Sequence, residues 1–309
     1  MSDDPPATLP PWLLLSVQAP PPGEEILLVE AMRSVGARAV ERDGARYEAI
    51  LPPPRDLDSL LREAEAVIRA STSLRNPRVS YRWQSHTAWG AEWGRTLEPR
   101  RVGRRIVVTG TGSEPPSGEG DVVIRLVPGV GFGTAEHGST RGCLRLLEET
   151  VASGDRIADV GSGSGILAIA AALLGSRRVL ALELDPYACA AARLNVEENG
   201  VGDRVELREE EVGSGTLVGE QPFDGIVANL QSSILLPLLP GLSRAISPGK
   251  WLIVSGIFRG ERDRLVAAAR ESGLELELEL VEDGWWSGRF RRSERAEDAS
   301  IRSPGTFPR

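Results

Sequence analysis

The first part of the chain mixes two hydrophobic periods. Apolar residues alternate in some stretches, which predicts strands, and recur about every three to four residues in others, which predicts helices. In chain order, the pattern predicts a strand over 12–17, a helix over 24–35, a strand pair over 37–50 turned at Asp43-Gly44, and a helix over 57–71. We therefore expect a small α+β domain of the ferredoxin-like type over residues 1–72, followed by a linker over 73–85, where the periodicity is lost.

The second part of the chain alternates strand and helix patterns. It predicts a helix from His86 that carries Trp89 and Trp93. The predicted strands cover 105–108, 122–126, 156–160, 179–184, 205–208, 225–228 and 251–255. The other predicted helices cover 140–151, 165–174, 186–199 and 261–271. Such alternation predicts an α/β domain, in which a mainly parallel sheet has helices on both faces.

The end of the chain carries a hairpin signal. Two strand patterns, over 274–282 and 285–291, meet at Asp283-Gly284, and Asp-Gly between strands is typical of a tight hairpin. The sheet is therefore expected to have seven strands and to end in a reversed, antiparallel hairpin. We expect this domain to cover residues 86–292, with a disordered tail over 293–309.

A glycine-rich turn follows the first central strand of this domain. The strand ends at Asp159 and runs into Gly161-Ser162-Gly163-Ser164-Gly165, and the next strand ends at Glu183. Such a turn places backbone N–H groups and the positive end of a helix against a ligand, and an acidic residue at the next strand tip can bind two ribose hydroxyls. The sixth position of the motif is Ile166 instead of glycine, which favours S-adenosylmethionine (AdoMet) over a dinucleotide. An ordinary tight turn between strand and helix is the alternative.

Two further segments are expected at the same edge of the sheet. The first is the loop 132–140, rich in small and hydroxyl residues, in which Thr134 is a candidate ligand contact and His137 has an open role. The second is the apolar strand pattern that ends at Asn229, whose carboxamide oxygen can accept a hydrogen bond from an amine. A helix cap in the first segment and a turn-forming Asn229 are the structural alternatives.

Composition limits the possible functions. The chain has 309 residues, which is long enough for two domains with buried cores. No segment approaches the ~20 unbroken apolar residues that span a bilayer, so we expect a cytoplasmic protein without a membrane partner. The net charge of −8 argues against holding nucleic acid through its phosphates. It suits a basic macromolecular substrate, although an acidic surface also serves solubility alone.

Cysteine and histidine usage gives no sign of a metal. Cys143 and Cys189 each lie in a helix-like apolar setting and are expected to be buried small residues, not a disulfide or a ligand pair. His86 and His137 have no cysteine or carboxylate partners at ligand spacing. The sequence does not fix the oligomeric state, and we expect a monomer.

Several motifs together resemble a known family. In chain order they are Gly-Phe-Gly-Thr with the following His and Thr, Asp-Val-Gly-Ser-Gly-Ser-Gly-Ile-Leu-Ala-Ile-Ala, Glu-Leu-Asp-Pro, Asn-Gly-Val and Val-Ala-Asn-Leu. This series resembles the PrmA family, bacterial methyltransferases that modify large-subunit ribosomal protein L11. The glycine motif is common to many methyltransferases, whereas the Phe-Gly-Thr loop upstream of it is far more specific. The resemblance spans nearly the whole chain.

The resemblance implies an enzyme that methylates α-amino and lysine ε-amino groups with AdoMet. It implies a Rossmann-like seven-stranded methyltransferase sheet, and an amino-terminal domain that docks the ribosomal protein. By motif, the expected cofactor-binding residues are Thr134, Asp159, Gly161, Gly163, Gly165, Glu183 and Asn229. Asn229 is also expected to be the catalytic residue that orients the amine. The chain departs from the family at Ala135, at Gly138-Ser139 and at Glu183, where Asp is usual.

Three other functions stay open at this point. A different protein or a small-molecule amine can be the acceptor, because resemblance constrains the cofactor half better than the substrate half. A non-catalytic AdoMet-binding scaffold is a second possibility, and the intact Asp159, Glu183 and Asn229 argue against it. A nicotinamide oxidoreductase is the third, and Ile166 and the Asp283-Gly284 hairpin argue against it.

Overall fold

The computed structural model of the protein describes residues 11–37, 39–84, 98–111, 113–115, 118–127, 135, 137–220 and 222–294. They fall into two compact units, one amino-terminal and one carboxy-terminal, which we describe separately. The helix expected from His86, the candidate residue Thr134 and the expected tail from residue 295 onward lie outside the described residues.

The amino-terminal unit alternates strands and helices around one antiparallel sheet. Its elements are β1 (Trp12–Gln18), α1 (Glu25–Ser34), β2 (Ala39–Asp43), β3 (Arg46–Leu51), α2 (Leu57–Ser71) and β4 (Ser80–Gln84). The strand order is β2-β3-β1-β4, and every neighbouring pair is antiparallel. This is the order of a ferredoxin-like fold, which confirms the expected α+β type.

β4 corrects the expected linker. The segment 73–85 was expected to be a linker, but residues 80–84 form the edge strand that pairs with β1 from Trp12↔Gln84 to Ser16↔Ser80. Four of the five β4 residues are exposed. The strand is therefore specified by its main-chain pairing with β1, and its side chains show no buried alternation. The other domain limits stay predictions.

The carboxy-terminal unit contains the remaining ten strands and five helices of the described residues. In chain order they are β5 (Arg100–Val102), β6 (Ile106–Gly110), β7 (Val122–Leu126), α3 (Gly138–Thr150), β8 (Arg156–Val160), α4 (Ile166–Leu173), β9 (Arg178–Glu183), α5 (Pro186–Glu198), β10 (Val205–Glu209), β11 (Phe223–Asn229), α6 (Ser232–Ala245), β12 (Ile246–Phe258), α7 (Arg262–Glu271), β13 (Leu274–Glu282) and β14 (Trp285–Arg292). A short 3-10 turn, Arg259–Glu261, precedes α7.

Seven of these strands form the main sheet, in the order β10-β9-β8-β11-β12-β14-β13. The pairs from β10 to β12 are parallel, whereas β14 is antiparallel to both of its neighbours. The expected seven-stranded sheet with a reversed final hairpin is therefore confirmed. The direction of winding changes between β8 and β11, and ligands bind at the carboxyl ends of the strands at such a point.

The final hairpin forms as its sequence predicts. Asp283 and Gly284 both have left-handed backbone angles, with φ of 49° and 81°. Asp and Gly tolerate this conformation better than most residues, and two such residues match the twist of the flanking strands. The turn therefore sets the register of β13 and β14.

A second, three-stranded sheet has the order β5-β6-β7, with β6 and β7 parallel. β6 and β7 agree with the predicted strands, whereas β5 was not predicted. β5 has three residues, and its two arginines, Arg100 and Arg101, are exposed. It therefore lacks an alternating apolar pattern that sequence reasoning can detect.

Candidate functional site

A cavity of about 440 Å³ lies at the carboxyl ends of the central parallel strands. The strands β8, β9, β10 and β11 end around it, and each contributes its last residues or the residues that follow. The lining residues are Thr140, Val160, Gly161, Ser162, Gly163, Ile166, Leu167, Glu183, Leu184, Glu210, Glu211, Val212, Asn229, Leu230, Ile234 and Leu238.

The structure brings most of the predicted site residues together here. Gly161, Gly163, Glu183 and Asn229 line the cavity. Asp159, near the end of β8, and Gly165, the last residue of the glycine turn, are not among the lining residues. Thr134 lies outside the described residues, so its role as a cofactor contact stays a prediction.

The glycine turn requires glycine at more than one position. Gly161, Gly163 and Gly165 have φ values of 72°, 54° and 80°, in the left-handed region that L-residues rarely adopt. A Cβ atom at Gly161 would lie 2.5 Å from Cδ2 of Leu230. A Cβ atom at Gly165, which precedes α4, would lie 3.2 Å from Cβ of Ala192 in α5. The turn is therefore closely packed from both sides and leaves bare backbone toward the cavity.

Glu183 holds the turn from the tip of β9. Its Oε2 accepts a hydrogen bond from the backbone N–H of Gly163 at 2.8 Å. Its Oε1 accepts hydrogen bonds from the N–H groups of Leu184 and Asp185, both at 2.9 Å. Among the described residues, Oε2 accepts only the bond from Gly163 and has a second lone-pair site, so the fixed carboxylate can still accept a hydrogen bond from a ligand hydroxyl at the cavity wall.

Asp159 is fully buried at the end of β8. Its Oδ2 accepts a hydrogen bond from the N–H of Ala168 in α4 at 2.9 Å, whereas Oδ1 has no hydrogen-bond partner in the described part of the chain. Burial, together with the nearby charge of Glu183 and against the opposing hydrogen bond from Ala168, raises the pKa of Asp159 to about 7. The carboxyl is therefore poised between its neutral and ionised forms near neutral pH.

Asn229 ends β11. Its Nδ2 donates to Oγ1 of Thr140, in the first turn of α3, at 3.4 Å. Its Oδ1 is buried and has no partner among the residues that the structure describes. Both residues line the cavity. Thr140 therefore orients the carboxamide, and the oxygen is left as an acceptor for a ligand.

Thr140 and Ser162 are site residues that sequence reasoning missed. Thr140 was considered only as a helix cap, and its helical position one turn after His137 gave no sign that it lies beside Asn229. Ser162 lines the cavity, and its buried hydroxyl has no partner within the described ranges. It lies inside the glycine motif, which was interpreted only through its backbone, so the serine side chain was not considered.

The charged residues of the cavity wall share one sign. They are Glu183, Glu210 and Glu211, and the described residues of the lining include neither lysine nor arginine. Glu210 and Glu211 follow β10 and were not singled out from the sequence. A concave wall with only negative charge attracts cationic ligands, among them a sulfonium compound.

His137 lies beside this cavity without lining it. Its Nδ1 is 2.7 Å from Oγ of Ser139, and its ring centroid is 4.5 Å from that of Trp285 in β14. Burial lowers the pKa of His137, and the positive charge of Arg141 lowers it further. His137 is therefore packed at the start of α3 against the final hairpin.

Arg141, in the first turn of α3, also contacts the hairpin, and sequence reasoning missed it. Its guanidinium pairs with Glu282 at 3.0 Å and with Asp283, and it donates to the carbonyl of Ala135 at 3.1 Å. The side chain is 12% exposed. Arg141 therefore fixes the chain just before α3 to the turn between β13 and β14.

The comparison with protein families identifies the chain. The family model described as ribosomal protein L11 methyltransferase (PrmA) matches residues 26–293. The chain belongs to this family. The sequence resemblance to PrmA is thereby confirmed.

Individual members of the PrmA family are similar over most of their length. The ribosomal protein L11 methyltransferase of Pelotomaculum thermopropionicum is 34% identical over 304 residues, which cover 89% of this chain and 96% of the relative. The one of Heliobacterium modesticaldum is 38% identical over 240 residues, covering 75% and 74%. A solved structure of a ribosomal protein L11 methylase from Lactobacillus delbrueckii subsp. bulgaricus is 29% identical, with a TM-score of 0.57, and covers 63% of this chain and 99% of that one.

The site fits the cofactor of the PrmA family. As a member, the chain is an AdoMet-dependent protein methyltransferase. The left-handed glycine turn, the fixed carboxylate of Glu183 and the carboxamide of Asn229 contribute to one cavity, and the charged groups among its described lining residues are acidic. The described helices include none that is long and apolar enough to cross a membrane. Within the same residues, no cluster of three or more His, Cys, Asp or Glu side chains is placed to hold a metal ion.

Proposed function

We propose that the enzyme transfers methyl groups from AdoMet to amino groups of ribosomal protein L11, at lysine ε-amino or α-amino positions. The family match over residues 26–293 supports L11 as the protein substrate. Asn229 supports an amine as the methyl acceptor, because this residue lines the cavity and its buried Oδ1 lacks a hydrogen-bond partner in the described part of the chain. This buried hydrogen-bond acceptor on Asn229 is the observation that carries the proposal, since a neutral amine has an N–H to donate to it.

The residues around the glycine turn hold the cofactor in this proposal. Glu183 binds the ribose hydroxyls, and Gly161 and Gly163 allow the backbone to approach the ligand closely. Asp159, bonded to Ala168, holds the turn against the start of α4. Thr134 is a further proposed contact, which rests on the family resemblance. AdoMet, when bound, supplies a methyl group that is activated by its positively charged sulfur.

Positioning is the main catalytic task of the chain's own residues, because the methyl group needs no further activation. Oδ1 of Asn229 accepts a hydrogen bond from an N–H of the substrate amine, and this bond fixes the orientation of the lone pair on the amine nitrogen. Its Nδ2 is already bonded to Thr140, so the oxygen and not the amide nitrogen is presented to the amine.

The substrate amine must lose a proton before it reacts. A lysine amine has a reference pKa of ~10.4 and is almost wholly protonated at neutral pH. Partial removal from water favours the neutral form, and water can accept the proton. We assign no general base, and His137, which is packed against Trp285 away from the cavity lining, takes no part in the transfer.

We assign the docking of L11 to the ferredoxin-like amino-terminal unit. The relative from P. thermopropionicum is matched over 96% of its length, so the region that forms this unit is shared with a full-length member of the family. The net charge of −8 favours encounter with a basic ribosomal protein. Action as a monomer in the cytoplasm belongs to the same proposal.

Asn229→Ala tests the assigned role. We expect kcat with L11 to fall about a hundredfold, as when one positioned polar group is removed from an active site. The Kd of AdoMet, measured by calorimetry, should stay within about threefold of the wild-type value, because Glu183 and the glycine turn are intact. Gln231→Ala is the matched control, since this exposed amide lies two residues further along and does not line the cavity. An equal loss of kcat in both variants would contradict the assignment.

A further inference from the structure

Asn195, in the second half of α5, joins two segments of the carboxy-terminal unit. It is 1% exposed. Its Oδ1 accepts a hydrogen bond from the backbone N–H of Val127, which follows β7, at 2.7 Å. Its Nδ2 donates to the backbone carbonyl of Ser164, in the glycine turn, at 2.8 Å. One partner is an obligatory donor and the other an obligatory acceptor, so the orientation of the carboxamide is determined.

The glycine turn is held from one side by β9 and α5. Three consecutive residues of the turn each meet a different residue of this strand and helix. The N–H of Gly163 donates to Glu183 at the tip of β9. The carbonyl of Ser164 accepts from Asn195, and the backbone of Gly165 lies against Ala192 so closely that a Cβ atom would be 3.2 Å from the alanine side chain.

These three contacts are chemically different. The contact at Gly165 is a steric limit, and the one at Glu183 uses a residue that we assign to the cofactor itself. Asn195 supplies the side-chain hydrogen bond to Ser164, and it is not among the residues that line the cavity. The position of the Ser164 peptide relative to α5 therefore depends on a side chain that lies behind the turn.

Asn199 provides a natural comparison one helical turn further on. Its Oδ1 accepts from the N–H of Arg125 in β7 at 2.8 Å, and its Nδ2 donates to the carbonyl of the same residue at 2.6 Å. Asn199 therefore also ties the end of α5 to β7, and it accounts for the asparagine of the Asn-Gly-Val motif. It has no hydrogen bond to the glycine turn among those of the described residues.

We propose that Asn195 is a positioning residue for AdoMet. It fixes the Ser164 peptide, and with it the left-handed turn from Gly161 to Gly165, in the conformation that faces the cofactor. Loss of the amide donor releases this peptide, so the binding-competent turn is populated for a smaller fraction of the time and the apparent affinity falls by that fraction. The inference rests on the proposed assignment of the glycine turn to the cofactor.

The test compares Asn195→Leu with Asn199→Leu. Both substitutions remove a carboxamide that is hydrogen-bonded to the chain in or just after β7, but only the first removes a hydrogen bond to the glycine turn. We expect Asn195→Leu to raise the Kd of AdoMet, measured by calorimetry, by about tenfold, the effect of one lost hydrogen bond. Asn199→Leu should leave the Kd within about twofold while lowering the melting temperature.

Hydrogen exchange of the cofactor-free protein gives a second readout that does not depend on activity. Asn195→Leu should increase amide exchange at Val127, in the glycine turn and in the first turn of α4, whereas Asn199→Leu should increase it in β7 and at the end of α5 but not in the glycine turn. Asn195→Asp covers the case in which the leucine variant does not fold, because it keeps the acceptor for Val127 and, when ionised, removes the donor to Ser164. The same rise in Kd is expected for it.

Equal effects of the two leucine variants on the Kd, or an unchanged Kd in a folded Asn195 variant, would overturn the inference. Either result would leave the proposed function intact as long as the wild-type protein binds AdoMet. Failure of the wild-type protein to bind AdoMet is the different result that counts against the proposed function itself.

Discussion

Asp159 and Asn229 end neighbouring parallel strands, and each has one buried oxygen without a partner in the described part of the chain. An unpaired buried acceptor costs about 1–3 kcal/mol of folding free energy, so two of them at the same edge of a sheet indicate a site shaped for a ligand. Glu183, by contrast, is fully held by three backbone N–H groups. The residues that receive the ligand therefore differ in how strongly the fold already fixes them.

Asp159 gives a pH-dependent prediction for the cofactor-free protein. Its pKa is about 7 when folded and 3.8 in the reference state, so the folded state binds more protons between these values. Its contribution to the free energy of unfolding is therefore full below about pH 4 and is lost as the pH rises toward 7, by at most about 1.4 kcal/mol per pH unit. Asp159→Asn cannot ionise and can still accept the bond from Ala168.

The measurement is urea unfolding of both proteins at several pH values from 4 to 8. We expect the Asp159→Asn variant to gain stability relative to the wild type as the pH rises through this window. A difference that is independent of pH would show that Asp159 is not held in a raised-pKa environment.

Gly161 gives a prediction with an internal control. Gly161→Ala combines a left-handed φ with a Cβ atom 2.5 Å from the Leu230 side chain, whereas Gly154→Ala has a similar φ of 88° and no atom within 4 Å. The backbone strain alone costs about 1–2 kcal/mol, so unfolding should show at least this loss in both variants and a larger loss in Gly161→Ala. Calorimetry should show weakened AdoMet binding in Gly161→Ala only. Equal stability and equal affinity of the two variants would be the contrary result.

At the scale of elements, the start of α3 is fastened to the final hairpin. Arg141 bonds Glu282, Asp283 and the carbonyl of Ala135, and His137 packs on Trp285. Trp285 also stacks on Phe258 at the end of β12, with ring centroids 4.2 Å apart. The hairpin therefore does more than complete the sheet, since it supports the helix that presents Thr140 to Asn229.

Arg141→Ala tests this support, with Arg145→Ala as its control. Arg145 pairs with the same Glu282 at 2.9 Å, but its side chain is 45% exposed, so its loss should cost less than about 1 kcal/mol of unfolding free energy. Arg141 is mostly buried, and its removal leaves Glu282 and the Ala135 carbonyl without this donor, which should cost about 3 kcal/mol. Denaturant unfolding of the two variants measures the difference, and equal losses would show that the hairpin contact is not structural.

The elements that were predicted from the sequence are those in which a strong local pattern matches a buried strand or a tight turn of the fold. The central strands and the Asp283-Gly284 hairpin were found because buried apolar runs and a left-handed turn leave a clear signal. β4 and β5 were missed, because they are held mainly by main-chain pairing and expose most of their side chains. Elements at sheet edges are therefore the ones that pattern reasoning fails to detect in this chain.

The same contrast applies to the site. Gly161, Gly163, Glu183 and Asn229 were predicted because a motif or a strand end marks them, and all four line the cavity. Thr140, Arg141 and Asn195 act through partners that are distant in the sequence, at Asn229, at Glu282 and at Ser164. Only the fold brings these partners together, so no local pattern in one sequence can show them.

On the scale of the whole molecule, the two units divide the work that we propose. The seven-stranded sheet carries the cofactor cavity, and the ferredoxin-like unit is assigned to the protein substrate. The family match covers residues 26–293 and so includes most of both units. The activity of the full chain on its protein substrate is therefore the central claim.

Intact-mass spectrometry of purified ribosomal protein L11, after incubation with the enzyme and AdoMet, tests this claim most directly. We predict a mass increase in steps of one methyl group, located by fragmentation at lysine or amino-terminal nitrogens, and a strongly reduced increase with Asn229→Ala. An unchanged mass of L11, with an enzyme that calorimetry shows to bind AdoMet, would contradict L11 as the substrate.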